Sequence, residues 1–221
     1  MQVSQNWLKL QQEMKSTDSS KNALSTAKTI PLSTKKKDAN ARKYVAIDCE
    51  MVGIGSDGVN SAFARVSVVD YEGEVLLDEY VKPKQRVTDL RTKVSGIHFH
   101  HVKTGLDFEE VQKKVAEIIK GKVLVGHAVQ NDLKVLLLGH PHKDIRDTSK
   151  YKEFRRFSHG RTPGLKLLAK SVLNKSIQDG SHCSVEDART AMSLYKSCRK
   201  EWEAALRAKF HSRNKEKITE E

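Results

Sequence analysis

The sequence predicts an α/β domain in which helices flank a mixed β-sheet. Three observations carry that expectation. YVAID is an apolar run of strand length. AFARVSVVDYEGEVLLDEYVKP follows it as two strand-like runs joined by Tyr71, Glu72 and Gly73, the pattern of a hairpin. Beyond the hairpin, helical and strand patterns alternate, which calls for helices packed on a sheet.

In chain order, residues 1–40 are rich in Ser, Thr, Lys, Gln and Asn and read as a disordered basic arm, with one short helical pattern over Trp7 to Met14. KKKDANARK, residues 35–43, has the composition of a nuclear import signal. The domain is expected over 41–210. After the hairpin, HFHH at 98–101 and HVKTG read as loop, and His98, His100 and His101 have no Cys or carboxylate partner at zinc-ligand spacing. FEEVQKKVAEIIKG puts Val111, Val115, Ile118 and Ile119 on one side of a helix that Gly121 stops. KVLVGH is a short strand, followed by a helix carrying Leu133, Leu136 and Leu137, and DIRDT is one more short strand. In TPGLKLLAKSVL, Thr162 is the expected N-cap and Pro163 the first helical residue. The final helix begins near Val185, with Ala188, Met192, Tyr195, Cys198, Trp202 and Leu206 along its apolar stripe. Residues 211–221 read as a polar tail.

Composition narrows the function. The 221 residues hold 40 Lys and Arg against 28 Asp and Glu, a net charge of +12. That excess favours a polyanionic partner, because each neutralised phosphate releases counterions. Nucleic acid fits better than an anionic membrane, since no basic amphipathic anchor is present. Cys49, Cys183 and Cys198 are odd in number and unpaired in spacing, which points to a reducing compartment and away from a disulfide framework. No apolar run approaches the roughly 20 residues that span a bilayer. The first residues lack the apolar middle of a secretory signal, so a soluble intracellular protein is expected.

Within this basic chain, KYVAIDCEMVG places two carboxylates where a buried strand ends. Residues i and i+2 of a strand share a face, so Asp48 and Glu50 project together, about 6.6 Å apart. Carboxylates that close repel each other unless a cation or a proton intervenes, and hard oxygen donors suit Mg²⁺ or Mn²⁺. Asp132, in GHAVQNDLKVLLL, falls near the start of a helix, where acids are favoured for electrostatic reasons alone. In HCSVEDARTAM, Ser184 is a suitable N-cap and Asp187 lies in the first helical turn. Asp187 could simply complete that cap, yet His182 stands just outside the same helix, and a neutral His can take a proton from water.

The ordered set resembles that of the DEDDh 3′→5′ exonucleases, whose fold is ribonuclease H-like, and within them the RNA-directed branch. The resemblance rests on DCEMVGIG, ARVSVVDYEGEVLLDEYVKP, VTDLRTKVSGI, GKVLVGHAVQNDLKVL, IRDTSKY and SHCSVEDARTAMSLYK, which together span about residues 43 to 200. It implies a ribonuclease H-like mixed β-sheet flanked by α-helices and hydrolysis of phosphodiesters to nucleoside monophosphates with two Mg²⁺ or Mn²⁺ ions. It makes Asp48, Glu50, Asp132 and Asp187 the metal ligands and His182 the general base. It also implies that Met51 lies against the terminal nucleotide and that Arg91 reaches the ribose or phosphate of the 3′ end. The implied partner is RNA with a single-stranded 3′ end, and the implied task is trimming of ribosomal RNA precursors, the first internal transcribed spacer among them, in the nucleus or nucleolus. KYKEFRRF, residues 150–157, offers basic residues interleaved with aromatics that could stack on unpaired bases, or a solvated loop with aromatic anchors. Two other readings fit the chain: a DNA-directed exonuclease in repair, and a non-catalytic nucleic-acid scaffold. The complete set of five residues counts against the scaffold.

Overall fold

The structure is a computed structural model and describes residues 43–219, with side chains as far as residue 209. The expected basic arm, its short helix and all of KKKDANARK except Lys43 lie outside the described residues. The expected architecture of a mixed sheet flanked by helices is the one observed. Strands β1 (Tyr44–Ile54), β2 (Asn60–Asp70) and β3 (Val75–Lys82) pair antiparallel in sequence. They are joined by β4 (Val87–Asp89), β5 (Leu106–Asp107), β6 (Val123–Gly126) and β7 (Ile145–Asp147), in the order β5-β3-β2-β1-β6-β7 with β4 also on β1. β6 runs parallel to β1, and β7 parallel to β6. The helices are α1 (Thr92–Ser95), α2 (Phe99–Thr104), α3 (Phe108–Ile119), α4 (Val129–Val135), α5 (Leu165–Leu173) and α6 (Ser184–Thr219). Among the described residues, no helix is long and apolar enough to cross a membrane.

Strand alternation sorts β1 between two cores. Val45, Ile47 and Cys49 join a cluster with Val111, Val115 and Ile119 of α3 and Val129, Leu133 and Leu136. Tyr44 and Ala46 face the other way, onto Ala188, Met192, Tyr195 and Trp202 of α6. Asp48 and Glu50 continue that second face, so the sheet aims them toward the layer that contains α6. Full burial of an apolar side chain is worth about 1.5–3 kcal/mol, so slipping β1 by one residue would forfeit several such terms at once.

Parallel pairing of β1 with β6 stops at Ala46 and Val125. β6 then turns sharply into α4. A Cβ on Gly126 would stand 2.6 Å from Val129 Cγ2 and 3.0 Å from the Ile47 carbonyl oxygen, so this turn tolerates no side chain. The two strands diverge here, leaving a crevice at the carboxyl end of parallel strands, where α/β sheets place their ligands.

Several local expectations need correction. α5 begins at Leu165 with Gly164 as N-cap, two residues later than Thr162 and Pro163 imply, and Pro163 is buried. Ser184 does not cap α6 with its side chain: its hydroxyl meets that of Ser67 on β2 at 2.6 Å, while the Cys183 carbonyl accepts the Asp187 N–H. A tertiary partner outcompetes the local one. HFHH is not loop but enters α2, which packs through Val102, and the His101 ring stacks on Tyr80 at 4.0 Å. Leu137 lies past the end of α4, exposed and with φ of 52°, so only Leu133 and Leu136 reach the core. KYKEFRRF runs into a 3₁₀ turn, Lys152–Ser158; Phe154 is buried and Tyr151 stacks on Trp202 at 4.3 Å, so these rings anchor the segment. The helical backbone of α6 continues through most of the expected tail, to Thr219.

Candidate active site

Four elements meet at the crevice: β1, α4, the loop before α6, and the first turn of α6. Asp132 on α4 is 4% exposed, and its Oδ1 accepts the Cys49 backbone N–H at 3.0 Å. That donor is free to bond sideways because β1 has lost its β6 partner beyond Ala46. The link holds α4 against the residue between Asp48 and Glu50. Asp187 is 3% exposed, and the His182 Nδ1 lies 3.8 Å from its Oδ2. The His182 backbone N–H donates to the Val94 carbonyl at 2.7 Å, tying this loop to α1. Gly96 ends α1 with φ of 65°, and a Cβ there would stand 3.2 Å from the His182 carbonyl oxygen. Ligand atoms of Glu50, His182 and Asp187 lie within 4.8 Å of one another.

The electrostatics tie in the remaining acid. Burial pushes the Asp48 carboxyl well above its usual range, and the charges of Asp132, Asp187 and Glu50 push it further. Burial and the Asp187 charge raise Glu50 to about 8, with Arg65 opposing. Burial raises Asp132 to about 7 against the hydrogen bond from Cys49. Asp187 is raised by burial against Gln178 and His182. Two buried oxygens, Glu50 Oε1 and Asp187 Oδ1, have no hydrogen-bond donor. Buried acceptors without donors are costly, and a concentration of hard oxygen ligands with shared repulsion is what a divalent cation relieves. The donor set fits Mg²⁺ or Mn²⁺.

The structure therefore gathers Asp48, Glu50, Asp132, His182 and Asp187 in one place. The other two candidates sit differently. Met51, which follows an irregularity in the β1–β2 register, is half-buried against the core shared with α3 and α4. Arg91, with φ of 51°, donates from its guanidinium to Ser61 Oγ and to the carbonyls of Gly58, Val59 and Asn60, clamping the β1–β2 turn. Two contributors escape the sequence reading. Gln178 donates from Nε2 to Asp187 Oδ2 at 2.7 Å, while its own carbonyl accepts from Lys166 Nζ at 2.7 Å. Nothing in NKSIQDGSH marks it. Arg65 pairs with Glu50 in the strand register and grips Asp78 through two 2.8 Å bonds. Its signal was legible: a charge set between Ala64 and Val66, both fully buried.

The family comparison agrees with this geometry. The RNase_T exonuclease model matches residues 45–195, from the second residue of β1 to about a third of the way along α6. The chain belongs to this exonuclease family. Among its relatives, RNA exonuclease 4 of Xenopus laevis is 55% identical over 168 residues, covering 76% of this chain and 40% of that protein. RNA exonuclease 4 of Candida glabrata is 49% identical over 178 residues, covering 80% of this chain and 68% of that one. The chain thus spans about two fifths of the Xenopus protein's length. Among solved structures, the Saccharomyces cerevisiae Pan2 pseudoubiquitin hydrolase–RNA exonuclease module in complex with A7 RNA matches with a TM-score of 0.64 and 30% identity, over 79% of this chain and 31% of that one. The exonuclease family's ribonuclease H-like fold is the fold found here.

Proposed function

We propose that this protein is a divalent-metal-dependent 3′→5′ exoribonuclease. The observation that supports it most is the buried carboxylate cluster beside His182, with two oxygens lacking donors. Asp48, Glu50 and Asp187 would hold one cation, and Asp48 with Asp132 a second. When bound, such ions lower the pKa of a water and relieve charge on the departing 3′ oxygen. The chain's own work is positional. Asp132 locks the strand that carries Asp48 and Glu50, through the Cys49 amide. Gln178 occupies one oxygen of Asp187 and so leaves Oδ1 for a ligand. His182, with Nδ1 turned toward Asp187, accepts the proton of the attacking water at its other ring nitrogen. Met51 lies against the terminal nucleotide. Arg91 reaches the 3′ ribose or phosphate by exchanging the carbonyls of the 58–60 turn for substrate oxygens.

Trimming of ribosomal RNA precursors in the nucleus is the task we infer, in keeping with the net charge of +12 and with relatives named as RNA exonucleases. The test is digestion of 5′-labelled RNA and of the matched DNA, with Mg²⁺, Mn²⁺ or EDTA. Stepwise shortening of RNA from the 3′ end, abolished by EDTA and by His182→Ala, is expected. Cleavage that survives both, or a preference for DNA, refutes the reading.

A further inference from the structure

We propose a second nucleic-acid contact surface on α6, remote from the catalytic cluster, that holds the phosphate backbone of the RNA upstream of its 3′ end. It rests on the exonuclease reading above. Arg189, Lys196, Lys200 and Arg207 are all exposed and recur at seven, four and seven residues. At 100° per residue they form one stripe along about 27 Å of helix. Asp187 projects from a different side of the same helix, so the stripe is no part of the catalytic pocket. Two grooves line it, one with Tyr71, Arg189 and Lys196, the other with Tyr44, Tyr71, Lys196, Arg199, Lys200 and Arg207. They share Tyr71 and Lys196 and so form one furrow between α6 and the β2–β3 turn.

Three features suit this furrow to phosphates. First, Arg189, Lys196 and Arg199 each donate to a neutral oxygen, which orients the side chain along the furrow. Arg189 Nε donates to the Gly73 carbonyl at 2.7 Å, Lys196 Nζ to the Tyr71 carbonyl at 3.0 Å, and Arg199 Nη1 to the Tyr71 hydroxyl at 2.9 Å. Second, the acid that falls within the stripe, Glu203, lines the second groove but is offset by its partners: both its oxygens are held by Arg146, at 2.6 and 3.0 Å, and Tyr195 donates to it as well. Glu72 and Glu74 stand on the opposite bank, and Glu72 reaches Lys196 at 3.4 Å in an exposed pair of little strength. Third, aromatic rings are interleaved with the cations. The Arg199 guanidinium lies 4.8 Å from the Tyr44 ring centre and 5.2 Å from that of Tyr71, and Lys196 Nζ lies 4.4 Å from Tyr71. A basic stripe along a helix with aromatic partners is the electrostatic footprint of nucleic-acid binding. Because the stripe runs away from the first turn of α6, only an RNA longer than the catalytic pocket reaches it.

The test is the triple variant Lys196→Gln, Lys200→Gln, Arg207→Gln, which leaves the packed Arg199 in place. On a long unstructured RNA, KM should rise about tenfold or more with kcat unchanged, and the slope of log KM against log salt should shrink by about 2, at about 0.7 per lost phosphate contact. On an RNA of about 4 nucleotides, near the lower limit of a single-strand site, both constants should match wild type. Equal KM on the long RNA, or equal losses on both lengths, overturns the proposal. Binding of the long RNA in EDTA, followed by fluorescence anisotropy, reads the stripe without cleavage. There an unchanged salt slope overturns the proposal, and a reduced slope upholds it even if the wild type cleaves nothing, an outcome that would count against the exonuclease reading alone.

Discussion

At the scale of single residues, the site is a set of carboxylates that the fold holds together against their own repulsion. Asp48 is the most burdened of them, raised by burial and by three acidic neighbours. Asp48→Asn should therefore cut RNA degradation by more than about 100-fold, the upper range for outer-shell partners of metal ligands. In EDTA the same variant should melt higher than wild type, with about 1 kcal/mol appearing as about 2–4 °C. A variant both inactive and less stable in EDTA would contradict this account of the cluster. Gln178 acts through Asp187. Gln178→Ala should weaken Mn²⁺ binding by about 10–100-fold in calorimetry, with kcat recovering at high Mn²⁺. Strand parity put Asp48 and Glu50 on one face, but Asp132, His182 and Asp187 were each weak alone, and the five positions were legible as a set only through the resemblance to the DEDDh exonucleases. Gln178 was not, because its backbone φ of 54° and its reach to Asp187 are set by contacts nine residues away.

At the scale of elements, α6 links the site to the rest of the sheet. Its apolar stripe at three- and four-residue spacing was readable, and the structure buries Ala188, Met192, Tyr195 and Trp202 as that spacing requires. What the spacing could not reveal is the polar pin beneath it, where Arg146 on β7 meets Glu203 with both side chains largely buried. Burial opposes ionisation of Glu203, but the hydrogen bonds from Arg146 and Tyr195 and the Arg146 charge outweigh it and hold the carboxyl below its usual range. A lowered folded pKa means that the stabilisation is present above the unfolded value near 4.5 and is lost as pH falls through the folded one. Glu203→Gln should cost about 2 kcal/mol at pH 7 and flatten the acid limb of the stability curve below pH ~4.5. Denaturant melts across that range measure both. At Ser184 a long-range partner, Ser67, overrides the local capping chemistry.

At the scale of the whole molecule, the α/β class and the flanked mixed sheet were legible because alternation and helical periodicity recur over long stretches. The β1–β6 divergence was not, since no single segment encodes where two strands part. That divergence makes stability depend on pH in a characteristic sense. Glu50 is raised from its ordinary 4.5 to about 8, so in EDTA the fold should lose stability as pH climbs between those values, and saturating Mn²⁺ should reverse the trend. A stability in EDTA that stays flat across the interval would speak against crowding of charge in the crevice. The Cys49 amide has a use of its own here. Its proton points at Asp132 from within the strand that carries the acidic pair, so its NMR chemical shift is a gauge of the crevice that needs no added probe group. Titrating Mg²⁺ into ¹⁵N-labelled protein should move that single resonance in step with occupancy, well before any RNA is added.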